Sequence, residues 1–321
     1  MRSNELDYDL PPDLIAQHPV EPRDASRLLV FDRASGAIRH RSFAELPEEL
    51  GGHLVVVNDT RVVPARLRLR RETGGDVEVL LLERRDADVW EALARPSRRL
   101  RAGERLLPCD TVSQGGTLDL LDALGEGRWL VRLEGEPHGE TPFPPYIHET
   151  QDDPERYQTV YADETGSAAA PTAGLHFTPE LLRRLDHVSV TLHVGLDTFR
   201  PLSTKTVEAH AIHGERYRVA PEAWARIESA ERVLSVGTTT TRVLETLARG
   251  APLAGRTDLF ITPGFAFLRV DALLTNFHLP RTTLLALVMA FAGVEETRRL
   301  YAVAIAECYR FYSFGDAMLV L

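Results

Sequence analysis

The distribution of apolar and polar positions divides the chain into two kinds of segment. After about residue 150, apolar runs alternate with amphipathic segments: VSVTLHV, PEAWARIESAERV, VLSV, TTRVLETLARG, DLFIT, TLLALVMAFAG, a long helix from Glu295 to about Tyr312, and AMLVL. Near the start, LLVF follows a turn, and LVVV at 54–57 has the composition of a buried strand. Strands that alternate with helices in this way predict an α/β layer domain.

The pattern changes between Arg61 and about Leu133. Five runs of β-type residues, RVVPARLRLRR, DVEVLLLERR, DVWEALAR, GTLDLL and RWLVRL, are separated by Gly-rich and Pro-Ser breaks, and helical periodicity is absent. This spacing predicts a small antiparallel barrel or sandwich. The proline-rich link at 138–149 then indicates a domain exit. We therefore expect an α/β catalytic domain of residues 1–60 and 150–321, with a β-barrel domain of residues 61–149 inserted into it.

The composition is that of a soluble globular protein, since 44% of the 321 residues are hydrophobic and 26% are charged. Cys109 and Cys308 match no metal or redox spacing, so we expect free thiols in a reducing compartment. The opening, MRSNELDYDLPPDL, lacks the apolar segment of a secretory signal, and the run Leu284–Ala292 is too short to span a bilayer. The sequence predicts a cytoplasmic protein without a membrane segment.

The formal net charge of −10 argues against a protein that coats nucleic acid. Residues 61–105, however, contain 12 Arg against 8 Asp or Glu, a net charge of +4 that leaves −14 on the rest. Lys205 is the only lysine, so nearly every cation is a guanidinium suited to forked phosphate contacts. A local RNA footprint and an ordinary solvated β-surface both account for this distribution.

The segment GSAAAPTAGLHF at 166–177 has the composition of a binding loop. Its alanines and glycines let the backbone approach a ligand closely, while His176 and Phe177 add a titratable ring and a stacking face. Thr178 and Pro179 then suit the N-cap and first position of a helix. A tightly packed turn is the alternative interpretation. The segment LLTNFHLPRTT at 273–283 again joins an amide, an aromatic ring, a histidine and a proline, and two such loops suggest one site.

These two segments resemble signature segments of the S-adenosylmethionine:tRNA ribosyltransferase-isomerases of the queuosine pathway. Further segments resemble the family in the same order along nearly the whole chain: VVVNDTRVVPARL (55–67), PPYI (144–147), YQTVYA (157–162), VTLHVG (190–195), HAIHGERYRV (210–219), SVGTTTTRVLE (235–245) and YRFYSFGDAMLV (309–320). The resemblance implies the same two-domain arrangement. It also implies transfer and isomerisation of the ribosyl group of S-adenosylmethionine onto 7-aminomethyl-7-deazaguanine at the tRNA wobble position, giving epoxyqueuosine-tRNA, adenine and methionine.

This reaction needs a base for the carbon beside the sulfonium and an acid for the departing adenine. Imidazoles near their ordinary pKa suit both tasks, so His176 and His278 are the first catalytic candidates, followed by Asp59, Glu215 and His193. Each has a structural alternative, such as a hydrogen-bonded core histidine or a turn cap. The expected substrate-binding residues are Ala170, Pro171, Thr172, Gly174, Phe177, Gly237, Thr238, Thr239, Asn276, Phe277 and Arg61. Phe177 and Phe277 are expected to stack on a base or face the sulfonium.

The remaining motifs add detail. A dinucleotide fingerprint and a P-loop are absent, but Gly237 followed by Thr238 and Thr239 joins a strand to a helix, where free N–H groups favour an anion or the threonines simply cap the helix. His210 and His213 with Glu215 form HxxHxE, yet a third metal ligand is not evident, so no metal and no prosthetic group are expected. Arg98, Arg99 and Arg101 are the expected tRNA contacts of a monomeric protein.

Two residues depart from the family pattern, and they keep other functions open. Asp197 stands where a glycine is usual and Ile212 where a methionine is usual. Ile for Met is a small change of shape, whereas a carboxylate in a ligand loop alters affinity for an anionic group. A catalytically inert relative that binds S-adenosylmethionine or RNA is therefore one rival. A glycoside hydrolase with Asp59 and Glu215 as paired carboxylates is the other.

Overall fold

The computed structural model describes residues 1–109, 116–195, 202, 204–210, 212 and 214–321. The chain divides into two compact units. The first comprises Met1–Thr60, Pro145–Glu164 and Pro171–Leu321, and the second comprises Arg61–Pro144 and Thr165–Ala170. The segment 166–177 is thus shared between the two units along the chain.

The described residues form strands numbered in chain order: β1 Arg27–Phe31, β2 Ile38–Ser42, β3 Leu54–Asn58, β4 Thr60–Val62, β5 Arg66–Arg71, β6 Asp76–Arg84, β7 Val89–Arg95, β8 Arg105–Pro108, β9 Leu118–Gly125, β10 Arg128–Leu133, β11 Glu164–Ser167, β12 His187–Leu192, β13 Glu215–Arg218, β14 Val233–Val236, β15 Ala254–Thr257, β16 Ala272–Asn276 and β17 Ala317–Val320. The α-helices are α1 Leu46–Glu49, α2 Pro179–Arg183, α3 Pro221–Ser229, α4 Thr238–Leu247, α5 Thr283–Ala292 and α6 Val294–Ala306.

The first unit is built on one mixed sheet. Within the described residues its strand order is β15-β13-β12-β3-β14-β16-β17-β1-β2. The four central strands, β12, β3, β14 and β16, run parallel to one another. All five residues of β3 are buried, because a parallel strand covered on both faces has no side that must be polar. The carboxyl ends of these four strands therefore meet at one edge, where α/β sheets usually bind ligands.

The second unit is a closed antiparallel barrel with the order β10-β7-β6-β5-β8-β9. Alternation of apolar and polar residues along each strand gives the barrel an apolar inside and a polar outside. In β5, for example, Leu67 and Leu69 are buried, whereas Arg68 and Arg70 are exposed. Strands β4 and β11 pair separately as a two-stranded sheet. The mixed α/β content and the closed antiparallel barrel confirm the predicted fold class.

Three local predictions were wrong. The last helix ends at Ala306 rather than near Tyr312, and Cys308 then takes a left-handed φ of 53° that ends helical geometry. The segment DLFIT is not a strand; β15 precedes it and β16 follows it. The barrel also has a strand, β8, that the five predicted runs did not include, because its four residues are too few to display alternation.

Candidate functional site

Asn276, the last residue of β16, links the two histidine-containing segments. Its Nδ2 donates to His176 Nε2 at 3.1 Å and to the carbonyl of Tyr312 at 3.2 Å. Its Oδ1 accepts from Thr172 Oγ1 at 3.0 Å. Asn276 is 2% exposed, so these bonds form away from water and fix the amide orientation. The carboxyl end of β16 thus fixes the loop that carries Thr172 and His176.

His176 is a neutral imidazole with both ring nitrogens in use. Because Asn276 donates to Nε2, the ring proton lies on Nδ1, which is 2.8 Å from Ser26 Oγ. Burial, with smaller contributions from Arg156, Arg310 and Arg23, lowers the pKa of His176 to about 3. The premise that this imidazole titrates near neutral pH is therefore corrected.

A small open cleft lies at the end of β16. It is lined by Tyr146, Thr172, Asn276, Phe277, His278, Leu279, Thr282, Leu284, Tyr312 and Ser313. His278 Nε2 is 2.7 Å from Thr275 Oγ1, and its backbone N–H donates to the Tyr301 hydroxyl at 2.9 Å. Burial lowers the pKa of His278 to about 3, so this imidazole is also neutral at pH 7.

Close packing requires glycine at 174 in the short 3-10 helix Thr172–Gly174. A Cβ there would lie 1.9 Å from the Tyr161 hydroxyl and 2.9 Å from Thr159 Cγ2. The same helix approaches the β14–α4 turn, since Ala173 Cβ would be 3.6 Å from a Cβ on Gly237. Segment 171–177 therefore contacts the ends of both β14 and β16.

The β14–α4 turn places a glycine directly before the first turn of a helix. Gly237 is the N-cap of α4 with φ of 89°, which other residues adopt only with strain. The helix begins at Thr238, so neither Thr238 nor Thr239 is the cap residue. The Thr240 hydroxyl donates to the carbonyl of Val236. The Thr241 hydroxyl lies within hydrogen-bond distance of the Ser235 hydroxyl and of the Gly237 carbonyl. The first N–H groups of a helix have no partner within the helix, and such groups favour an anion.

Asp59 and His193 follow the neighbouring strands β3 and β12. Asp59 accepts a hydrogen bond from Thr191 Oγ1 at 2.7 Å. Burial raises the pKa of Asp59, and the nearby charges of Glu164 and Asp163 raise it further, whereas the bond from Thr191 lowers it. His193 Nδ1 is 2.8 Å from Thr60 Oγ1. Strands β3, β14 and β16 are consecutive in the sheet, so two strand spacings, roughly 10 Å, separate the ends that carry Asp59 and Asn276.

Glu215 lies in a structural ion pair. Arg242 Nη1 donates to Glu215 Oε2, and Gly195 N donates to Oε1 at 2.9 Å. Both side chains are about nine-tenths buried, with exposures of 11% and 8% for Arg242 and Glu215. Arg242 also donates to the carbonyls of Leu259 and Thr257. These contacts occupy both carboxylate oxygens and do not favour a glycosidase pair with Asp59.

Phe177 and Phe277 are not stacking faces in this structure, which corrects that expectation. Both are 0% exposed. The Phe177 ring packs edge-on against Phe43 at 5.1 Å, and the Phe277 ring lies 5.0 Å from that of Phe311. Besides the buried Phe277, the cleft is lined by Tyr146 and Tyr312, which the sequence did not indicate as site residues. The two tyrosines lie in the PPYI and YRFYSFGD segments, but nothing in those segments indicates that they meet.

Arg61, Ala170 and the three arginines predicted to contact tRNA belong to the second unit. Arg98, Arg99 and Arg101 are exposed in the turn between β7 and β8. Arg61 is half-buried on β4, and Ala170 ends the segment Thr165–Ala170. Pro171, by contrast, begins the last segment of the first unit.

The residues that the structure describes contain neither a metal cluster nor a membrane-spanning helix. In that part of the chain, no group of three or more His, Cys, Asp or Glu side chains could hold a metal ion. No helix within the same residues is both long and apolar enough to cross a bilayer. His213 of the HxxHxE motif and the departure at Asp197 lie outside the described residues.

The chain is similar to known proteins along its full length. Residues 3–320 match the family model described as queuosine biosynthesis protein. The chain is 53% identical to an S-adenosylmethionine:tRNA ribosyltransferase-isomerase of Rubrobacter xylanophilus, covering 100% of this chain and 98% of the relative. It is 51% identical to the enzyme of the same name from Desulfitobacterium hafniense, covering 100% of both. A crystal structure of S-adenosylmethionine tRNA ribosyltransferase from Thermotoga maritima matches with TM-score 0.57 and 39% identity over 99% of this chain and 100% of that one.

Proposed function

Since the chain belongs to the queuosine biosynthesis protein family of S-adenosylmethionine:tRNA ribosyltransferase-isomerases, we propose that it acts on S-adenosylmethionine and tRNA. The ribosyl group of S-adenosylmethionine is transferred to 7-aminomethyl-7-deazaguanine at the wobble position and isomerised to the epoxycyclopentane of epoxyqueuosine. Adenine and methionine are released. The tRNA substrate implies action in the cytoplasm, and the reaction as proposed uses no prosthetic group or metal.

One observation carries this proposal: the identity of about half extends over all of this chain and nearly all of each relative. Such coverage includes every strand end of the candidate site, not only the segments that suggested the family. As proposed here, the cleft at the end of β16 takes the heterocycle and the start of α4 after Gly237 takes the negative charge, since β14 and β16 end at the same edge of the sheet. A nucleoside with a charged amino-acid tail needs both kinds of subsite.

The methionine end of the donor suits the start of α4. Its carboxylate accepts hydrogen bonds from the first-turn N–H groups of Thr238 and Thr239, where the helix dipole favours negative charge. Gly237 allows the ligand to approach because it has no side chain and its φ is positive. The donor then extends across the strand ends toward the cleft.

Asp59 is the best-suited proton acceptor. Burial raises its pKa, so it is a stronger base than an exposed carboxylate while still attracting the sulfonium. After taking the proton from the carbon beside sulfur, it can return a proton to the departing adenine. His278, neutral and part of the cleft, orients the heterocycle, and His176 acts through Asn276.

The exposed arginines Arg98, Arg99 and Arg101 are proposed to contact tRNA phosphates. Replacing Arg98 and Arg99 by Gln should weaken binding and reduce the slope of log K against log salt by about 1.4, or about 0.7 for each lost contact to a single strand. Arg105→Gln is the matched control, because Arg105 already pairs with Asp119 at 2.7 Å on the same barrel. Equal slopes for the double variant and this control would remove these arginines from the tRNA interface.

The reaction is tested by incubating the protein with S-adenosylmethionine and a tRNA that carries the aminomethyl-deazaguanine base. Adenine release that requires this tRNA is the expected result, and Asp59→Asn should abolish it while S-adenosylmethionine still binds. Thr191→Val, which removes only the hydrogen bond to Asp59, is the control and should retain measurable turnover. Binding without release in the wild type would instead identify an inert relative, and cleavage of an unmodified glycoside would identify a hydrolase.

A further inference from the structure

Two tyrosine rings line the cleft at the end of β16 and pack on each other. The ring centroids of Tyr146 and Tyr312 are 4.6 Å apart, with 39° between the ring planes. Tyr312 is only 4% exposed, whereas Tyr146 is half-buried, so Tyr146 is the ring that a ligand can reach. The Tyr146 hydroxyl is 2.7 Å from Ser313 Oγ, which fixes the outer end of its ring.

The backbone of Tyr312 is held in an unfavourable conformation. Its φ is 73°, a left-handed value that costs free energy for a bulky residue. Three hydrogen bonds maintain it: Tyr312 N donates to the carbonyl of Phe277, and Gly315 N and Asn276 Nδ2 donate to the carbonyl of Tyr312. The ring behind Tyr146 is therefore fixed by the same amide that binds His176.

The cleft is uncharged and its polar groups are largely satisfied. None of its lining residues carries a carboxylate, a guanidinium or an ammonium group within the part of the chain described. Thr282 Oγ1 donates to the carbonyl of Leu279 and accepts from Leu285 N. The Asn276 amide hydrogens are both used by His176 and Tyr312. The surface left for a ligand is mainly aromatic and apolar, which suits a neutral planar ring better than a sulfonium, carboxylate or phosphate.

We propose that Tyr146 is the residue on which the substrate's heterocycle stacks, and that Tyr312 is a positioning residue that holds the Tyr146 ring. The ligand class is an uncharged purine or deazapurine. This inference rests on the proposed function, because both substrates of that reaction contain such a ring. The adenine of S-adenosylmethionine and the deazaguanine of the tRNA are its two sources.

The test compares Tyr146→Leu, which removes the π-face, with Tyr146→Phe, which keeps the π-face and loses the hydroxyl that bonds Ser313. Tyr312→Gly removes the backing ring while favouring the left-handed backbone, so its effect isolates the ring. Tyr146→Met serves as a second variant without a π-face if Tyr146→Leu folds poorly. Dissociation constants are measured separately for S-adenosylmethionine without tRNA and for the modified tRNA without donor. Thermal unfolding of each variant is recorded in parallel.

Loss of stacking should weaken one of the two ligands by about 5- to 150-fold in Tyr146→Leu relative to Tyr146→Phe. Weaker S-adenosylmethionine binding assigns adenine to the cleft, and weaker tRNA binding alone assigns the RNA base. Tyr312→Gly should weaken the same ligand and spare the other. If all variants bind both ligands equally, the proposal is refuted. A wild type that binds both ligands but releases no adenine would refute the proposed reaction and leave this binding test valid.

Discussion

The buried His176 should make the stability of the first unit sensitive to acid. Its pKa is about 3 in the folded protein, against an ordinary value near 6.5 in the unfolded chain. Between these values the unfolded state binds a proton that the folded state excludes, so stability falls as pH falls. The stability that the protein gains from keeping His176 neutral is fully present above about pH 6.5 and is lost as the pH decreases toward 3.

The magnitude follows from the same two values. Each pH unit below 6.5 costs about 1.4 kcal/mol, so protonation of His176 in the unfolded chain costs about 2 kcal/mol at pH 5. This figure changes little if the folded pKa lies anywhere below about 4. His176→Gln keeps an acceptor for Asn276 but cannot be protonated, so its unfolding free energy should fall about 2 kcal/mol less than that of the wild type between pH 8 and pH 5.

Urea unfolding at pH 8, 7, 6 and 5 measures this difference. Replacing Trp90 and Trp129 of the barrel by Phe leaves Trp224 on α3 as the only tryptophan, so fluorescence reports the unit that contains His176. Wild type and His176→Gln should diverge progressively below pH 6.5. Parallel pH dependences in this background would refute a buried neutral His176, whatever the absolute stabilities are.

Two further substitutions test the packing of the site. Gly174→Ala should lower the free energy of unfolding by about 1–3 kcal/mol because its Cβ would overlap the Tyr161 hydroxyl, and adding Tyr161→Leu should recover part of this loss. Gly195→Ala is the control, because a Cβ there would lie 3.8 Å from its nearest neighbour. Similar losses at both glycines would contradict the predicted clash. Glu215→Gln should destabilise the protein by about 3–5 kcal/mol by leaving Arg242 charged and unpaired, with little change in turnover of the folded fraction. A large loss of turnover at unchanged stability would instead restore a catalytic role for Glu215.

Much of the fold could be predicted because its patterns are local. The uniform LVVV run of β3 and the alternating RLRLRR of β5 each specify their burial without reference to the rest of the chain. The errors occurred where local pattern is weak. The four-residue β8 is too short for periodicity. The end of α6 depends on the left-handed Cys308 and on the hydrogen bond from Tyr309 N to the Ala304 carbonyl, which the apolar pattern does not display.

The site was predictable in position more than in role. The segments around His176 and His278 do lie at one strand end, since Asn276 contacts His176 directly and lies two residues before His278. Their pKa values could not be predicted, because burial of each ring depends on residues distant in the chain, such as Ser26 and Tyr301. Phe177 and Phe277 were misassigned and Tyr146 and Tyr312 were missed for the same reason: composition gives the number of aromatic rings, whereas packing decides which of them face solvent.

The division of segment 166–177 has a consequence for dissecting the molecule. Because Thr165–Ala170 belongs with the barrel, cutting out residues 61–144 alone would take away only part of that unit. Ser167 accepts a hydrogen bond from Val63 N at 3.0 Å, so an isolated fragment would lack a partner for its own first residues. A barrel expressed alone therefore requires residues 165–170 to be joined to it by a short linker. The rest of the chain, with only 61–144 deleted, would retain these six residues without the part of the second unit that they contact.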